Sequence, residues 1–294
     1  MLTRLDVARP GSVILWAVLC GLVAGLVAAT YLRIVGEPLV DRAIAIEEAT
    51  AAASSETGGD DIGHPAEEEH ADDAVEIGRP TQKGVGLFSA YALFGGACGL
   101  LLAAAALSLR GEWLDPFRRI AVAGSILALS ITVVPWFEFP PNPPAVGDPS
   151  TAGERQRWFF ILVALTAVVL AGAAHLSGRL RRAEWPDFRR VAVVGAAAAV
   201  VLGVIVALMP GNDDPIPEAV GASLVWEFRV ASLGGNVLMW ALLTVGFGVL
   251  CAESARRRSE AAAATAAVGG TGARAGGSEG AGATGGAAAA GAEA

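Results

Sequence analysis

Two segments of this chain concentrate the side chains that could do chemistry. In the first, His64 and His70 are surrounded by Asp60, Asp61, Glu67, Glu68, Glu69, Asp72 and Asp73. Imidazole combined with carboxylate oxygen suits borderline divalent ions such as Co²⁺, Ni²⁺ or Zn²⁺. His64, His70, Asp60 and Asp61 are therefore candidate metal ligands. The His-x5-His spacing does not match the HExxH helix of a zinc hydrolase. Dense like charge with few apolar side chains is equally the composition of a solvated, flexible linker. The sequence leaves both readings open.

The second segment runs from Val134 to Arg157, with five prolines between Phe139 and Ser150. Proline brings no backbone N–H and forces the residue before it into an extended conformation, so no helix passes through this segment. It must be a stiff, extended connection or a re-entrant turn, and it presents Glu138, Asn142 and Asp148, then Arg155. Arg155 lies seven residues after Asp148, close enough to reach back, so this pair is expected to be structural. Glu138 has no basic neighbour in sequence and is expected to face an ion. A second proline-flanked cluster, Pro210–Glu218, adds Asp213 and Asp214 to the candidate pathway.

The elements that must position these groups are apolar helices. Charged residues make up 17% of the chain and the mean hydropathy is +0.53, against about 25% charged in soluble domains. Six stretches approach or exceed the roughly 20 residues that span a bilayer: Val13–Leu32, Val85–Leu109, Ile120–Phe137, Trp158–Leu176, Val191–Met209 and Val230–Cys251. The expected class is all-α, a polytopic bundle of about six transmembrane helices. The third span is the shortest, which leaves a five-span alternative. The organisation read from composition is an N-terminus with the first helix (1–36), an acidic flexible loop (37–84), a transmembrane bundle (85–258) with a proline-rich outer loop (138–157), and a disordered Ala/Gly-rich tail (259–294).

Alternate loops, beginning with the N-terminus, hold 14 of the 21 basic residues, and the opposite loops hold 20 of the 29 acidic ones. The positive-inside rule then places both termini in the cytoplasm of a cell-membrane protein with an acidic outer face that attracts cations. Nothing in this pattern suits nucleic acid. No phosphate-binding GxxxxGK[ST] loop occurs, so no nucleotide is expected, and no nucleophile–base constellation suggests an enzyme. Cys20, Cys98 and Cys251 all fall in apolar spans, where cysteine behaves as a small hydrophobe.

The chain also repeats itself. Phe117-Arg118-Arg119 leads into span three and Phe188-Arg189-Arg190 into span five, and Gly124 and Gly195 keep the same offset. Ala145-Val146-Gly147 in the proline loop recurs as Ala219-Val220-Gly221 after Pro215 and Pro217. Both copies enter the membrane from one side, which predicts a parallel repeat of a two-helix unit about an axis along the membrane normal. The two proline-stiffened loops should then face each other.

With Phe137-Glu138-Phe139-Pro140-Pro141-Asn142-Pro143-Pro144-Ala145-Val146-Gly147-Asp148-Pro149 followed by Arg155, the chain resembles the probable cobalt transporter subunit family, CbtA. The resemblance implies uptake of cobalt for cobalamin synthesis, with cobalt ion as substrate and no organic cofactor. It also implies a small, one-span, histidine-bearing partner called CbtB. Members often carry more histidines in the first outer loop than the two present here. Nickel or zinc transport, or a scaffold role without transport, are the alternatives.

The arginine asymmetry makes a direct prediction. In a background lacking the native cysteines, cysteines at positions 58 and 211 will react with a membrane-impermeant maleimide from outside intact cells. A cysteine at position 182 will react only after permeabilisation. External protection of position 58 would overturn the topology.

Overall fold

The computed structural model describes residues 9–57, 78–109, 115–211 and 216–276. Six helices are long and apolar enough to cross a membrane: α1 (Pro10–Val35), α3 (Arg79–Ser108), α4 (Pro116–Glu138), α5 (Ala152–Arg182), α6 (Asp187–Ala207) and α7 (Ala222–Gly276). A further helix, α2 (Glu37–Thr57), follows α1, and no strand occurs among the described residues. The chain is a multi-pass helical membrane protein. The third span runs over 23 residues, about 35 Å of helix, so it is long enough to cross and the six-span reading holds.

The tightest packing joins α1 to α3. A Cβ added to Gly21 would fall on the carbonyl of Gly95, one at Gly25 on that of Tyr91, and one at Gly99 on that of Ala17. Lipid tails are as apolar as the side chains, so helices associate through close van der Waals contact, and these small residues permit it. Their partner is α7. Ala17, Ala24 and Ala28 of α1 and Cys98, Leu102 and Ala103 of α3 share one buried cluster with Met239, Leu243 and Phe247. The cysteines sit in or against that cluster, as packing residues do.

Helix α4 starts on an Asp115 cap, whose carboxylate accepts the Arg118 N–H at 2.9 Å, with Pro116 in the first turn. It is α-helical to Ala128, passes through a π-turn at Leu129–Val133, and makes its last turn across Pro135. The Phe139 N–H closes that turn on the Pro135 carbonyl at 2.7 Å, and the prolines beyond forbid another.

Two segments are more ordered than composition suggested. The first 21 residues of the acidic loop form α2, because its apolar side chains have somewhere to go. Leu39 and Ala43 are buried against Val220, Leu224 and Val225 at the start of α7. Arg79 then ties α2 to α3 through Glu37 at 2.8 Å and Asp41 at 2.9 Å, and Lys83 adds Asp41 at 3.0 Å. Hydrogen bonds from Arg79 and Lys83 hold the Asp41 carboxyl below its ordinary range. The tail from Ser259 continues α7 as helix to Gly276, since alanine is the best helix former and Arg256 and Arg257 pair with Glu253 across one turn.

The repeat is visible in local geometry. The Val146 N–H bonds the Pro143 carbonyl at 3.3 Å and the Val220 N–H bonds the Pro217 carbonyl at 3.0 Å. Each turn ends on a glycine in the left-handed half of backbone space, Gly147 at φ 115° and Gly221 at φ 73°. Each leads into a membrane helix, α5 or α7. Exchanging α4 with α6 and α5 with α7 turns the α4–α7 contact into the α6–α5 contact, and both are present. The α1–α3 pair docks on the α7 side without a counterpart. Accordingly 39% of the apolar window of α7 is buried, against 11% in α5 and α6.

This packing predicts unequal tolerance among glycines. Gly95→Leu will cost on the order of 1–3 kcal/mol or more and sharply lower the yield of monodisperse protein in detergent. Gly172→Ala and Gly203→Ala, with open space around them, will leave that yield unchanged in size-exclusion chromatography.

Candidate functional site

The end of the bundle that carries the proline loop gathers the polar groups nominated by sequence. Trp136, in the last turn of α4, donates its indole N–H to the Arg229 carbonyl of α7 at 3.1 Å, and its ring meets Trp226 edge-on at 6.1 Å. These contacts fix the last turn of α4 against the first turns of α7. Beyond that turn, Asn142 accepts a 2.7 Å hydrogen bond through its Oδ1 from the Arg229 guanidinium. The Nε of Arg229 is buried without a partner. Asn142 thus links the first proline loop to the second repeat unit.

Glu138 ends α4 beside this joint. It is half-buried and makes no hydrogen bond or ion pair among the described residues. Its carboxylate has lost part of its hydration and gained no cation in exchange. Asn142 also lines an open recess of about 300 Å³ with Phe139, Pro140, Val146, Arg155, Gln156 and Phe159.

Asp148 behaves differently. Its Oδ1 accepts the Ser150 N–H at 2.8 Å, and its main-chain carbonyl accepts the Thr151 N–H at 3.2 Å and the Thr151 hydroxyl at 2.9 Å. The bonds to Ser150 come first in holding this carboxyl below its ordinary range, and the charge of Arg155 adds to them. The carboxylate braces the turn into α5.

Glu138 thus closes α4, Asn142 follows four residues later in the proline loop and Asp148 lies in the turn into α5. His64, His70, Asp60 and Asp61, and likewise Asp213 and Asp214, lie outside the described residues. Among the described residues no group of three or more His, Cys, Asp or Glu is placed to hold a metal. Within the bundle, Asn236 of α7 donates to the Ser232 carbonyl at 3.0 Å and its side chain also reaches the Tyr91 hydroxyl of α3.

Sequence reasoning missed the weight of Arg229. Glu227 and Arg229 look like a local pair, yet residues two apart on a helix do not face each other. Glu227 meets Arg42 of α2 at 3.7 Å, while Arg229 turns to Asn142. The signal was available: an arginine within a membrane helix is costly unless it has a partner. Trp136 and Trp226 carried no such signal, because interfacial tryptophans are common.

Comparison with known proteins agrees with this layout. The family model described as Probable cobalt transporter subunit (CbtA) matches residues 11–252, from the first turn of α1 to the end of the membrane part of α7. No curated protein and no solved structure matches the chain. With the match covering all six spans and the proline loop between them, the chain belongs to the CbtA family of probable cobalt transporter subunits.

Proposed function

We propose that this chain is the membrane subunit of an uptake system for divalent cobalt that supplies cobalamin synthesis. The observation that supports it best is Glu138, a half-buried carboxylate with no partner among the described residues, at the mouth of a multi-pass bundle of the cobalt transporter family. In this reading the proline-loop end faces outside and both termini are cytoplasmic. The acidic first loop raises the local cation concentration, with His64, His70, Asp60 and Asp61 as loose ligands. Glu138 and Asn142 receive the ion, aided by Asp213 and Asp214 of the second loop. An inside-negative potential favours each positive charge by about 2.3 kcal/mol per 100 mV, and a divalent ion by twice that. A one-span, histidine-bearing CbtB-like subunit completes the system, and the chain itself performs no enzymatic step.

Arg229 opposes a cation at this mouth, which gives the joint a use. A bound cation near Glu138 repels the guanidinium, weakens its bond to Asn142 and frees the amide oxygen as a ligand. The ion thereby loosens the tie between the repeat units that closes the mouth.

Three outcomes follow. Glu138→Gln will lower cobalt-57 uptake by cells at least tenfold while the amount of monodisperse protein is unchanged; wild-type uptake would remove this carboxylate from the path. Replacing His64 and His70 together by Ala will weaken uptake at limiting cobalt and spare it at saturating cobalt, read from the concentration dependence of initial rates. Asp148→Asn will lower the amount of folded protein and leave uptake per folded molecule unchanged. Because the Asp148 carboxyl titrates below its ordinary range in the fold, its stabilisation is present at neutral pH and is lost as pH falls through that depressed value. Thermal melts of wild type and Asp148→Asn will therefore converge in acid.

A further inference from the structure

The middle of α4 contains polar groups that neither packing nor the mouth explains. Ser130 and Thr166 are the two fully buried polar side chains among the described residues, each with 0% of its surface exposed. Ser130 lies in the π-turn Leu129–Val133, and Thr166 lies on α5, the helix packed against that turn. The Ser130 hydroxyl donates to the Ile126 carbonyl at 2.7 Å and keeps its oxygen lone pairs. The Thr166 hydroxyl has no hydrogen-bond partner among the described residues. In hydrocarbon a hydroxyl left without a partner is costly, so an unused one at this depth calls for a ligand.

The backbone around Ser130, on the turn that α5 packs against, is also short of donors. Within the π-turn the Val134 N–H reaches back five residues to the Leu129 carbonyl. The next donor in line would be residue 135, which is proline, so a carbonyl at Ser130 or Ile131 loses its main-chain N–H. π-turns inside helices recur at functional sites, and interrupted membrane helices use freed carbonyls to hold ions. Ser130 is about 12 Å of helix below Glu138, and Thr166 is about 21 Å along the roughly 46 Å of α5, so both sit deep in the membrane. On the α7 side of the same π-turn, Thr132 accepts a 3.0 Å hydrogen bond from the Trp240 indole. There it lines a recess of about 350 Å³ that also holds the hydroxyls of Ser125 and Thr244. The π-turn thus has a hydroxyl-lined recess on its α7 side and packs against the helix of Thr166 on the other.

We propose that this π-turn, with the hydroxyls of Ser130 and Thr166 and the carbonyl freed by Pro135, is a binding site for a small monovalent cation, Na⁺. The donors are all neutral oxygens. A divalent transition ion needs imidazole, thiolate or carboxylate to replace its hydration, and none is present in this set. A monovalent ion is less strongly hydrated, and neutral oxygens suffice for it. The chain has no nucleotide-binding motif, so a cation site separate from the cobalt mouth supplies a coupling ion. That coupling role rests on the uptake reading; the binding itself does not.

The test is equilibrium binding of ²²Na⁺ to the full-length, detergent-purified protein. Wild type will bind saturably, with unlabelled NaCl displacing the label and choline chloride failing to do so. Thr166→Val, which keeps the shape and removes the hydroxyl, will bind at least tenfold more weakly, and Thr166→Ser will retain binding. Thermal melts give a second readout: Na⁺ will raise the melting temperature of wild type relative to choline and leave that of Thr166→Val unmoved. Absence of saturable binding by wild type, as expected for a trapped water only, would overturn the site, and so would equal binding by Thr166→Val. Intact ²²Na⁺ binding by a chain that brings no cobalt-57 into cells would uphold the site and sink the uptake reading instead.

Discussion

Inside a bilayer every main-chain N–H and C=O must find a partner within the protein, because no water is present to supply one. The rest of this structure depends on how that constraint is met at α4. A π-turn loosens the helix at Leu129–Val133, Pro135 removes a donor, and the prolines after Phe139 end the helix where the loop begins. Such a segment is tolerated only where neighbours cover it. The neighbours are α5 and α7, and the cover is held by named contacts: Trp136 on the Arg229 carbonyl, the Arg229 guanidinium on Asn142, and Trp240 on Thr132. These three bonds join α4 and its loop to α7, so the first repeat unit is secured by the second.

The repeat explains why the polar groups converge. A two-helix unit that enters the membrane on a Phe-Arg-Arg step and returns through a proline turn cannot bury both faces alone. Two such units packed by exchange of partners bring their proline turns to the same end. There Val146 and Val220 share one apolar cluster with Leu39 of α2. The α1–α3 pair, held together by glycine contacts too close for any side chain, breaks the symmetry by docking on α7 and the start of α4 with no counterpart on the α5–α6 side. An asymmetric bundle with a symmetric core leaves α7 well packed and α5–α6 at the periphery. Elements with little buried surface are the ones free to shift against the others.

Much of this was legible because membrane constraints are strong and local. Apolar runs located all six spans, and only the bounds moved, as where Asp115 and Pro116 begin α4 four residues ahead of Ile120. The repeat was readable from Phe-Arg-Arg and Ala-Val-Gly because each marks a fixed backbone event, a helix start or a turn ending at positive φ. The illegible parts were long-range. Nothing local says that Arg229 selects Asn142, 87 residues away, over Glu227, or that Thr166 is left without a partner. Helix α2 was misjudged as flexible because its own composition is polar. Its order comes from Val220, Leu224 and Arg79, which belong to other segments.

The central proposal is that this chain brings cobalt into the cell, with Glu138 and Asn142 receiving the ion. Its most direct test is the initial rate of cobalt-57 uptake at an inside-negative potential, compared between cells that carry the chain and otherwise identical cells that lack it. The account predicts saturable uptake that depends on the chain and disappears when the potential is collapsed. Equal uptake in the two kinds of cell, with the chain shown to be folded and in the membrane, would contradict it.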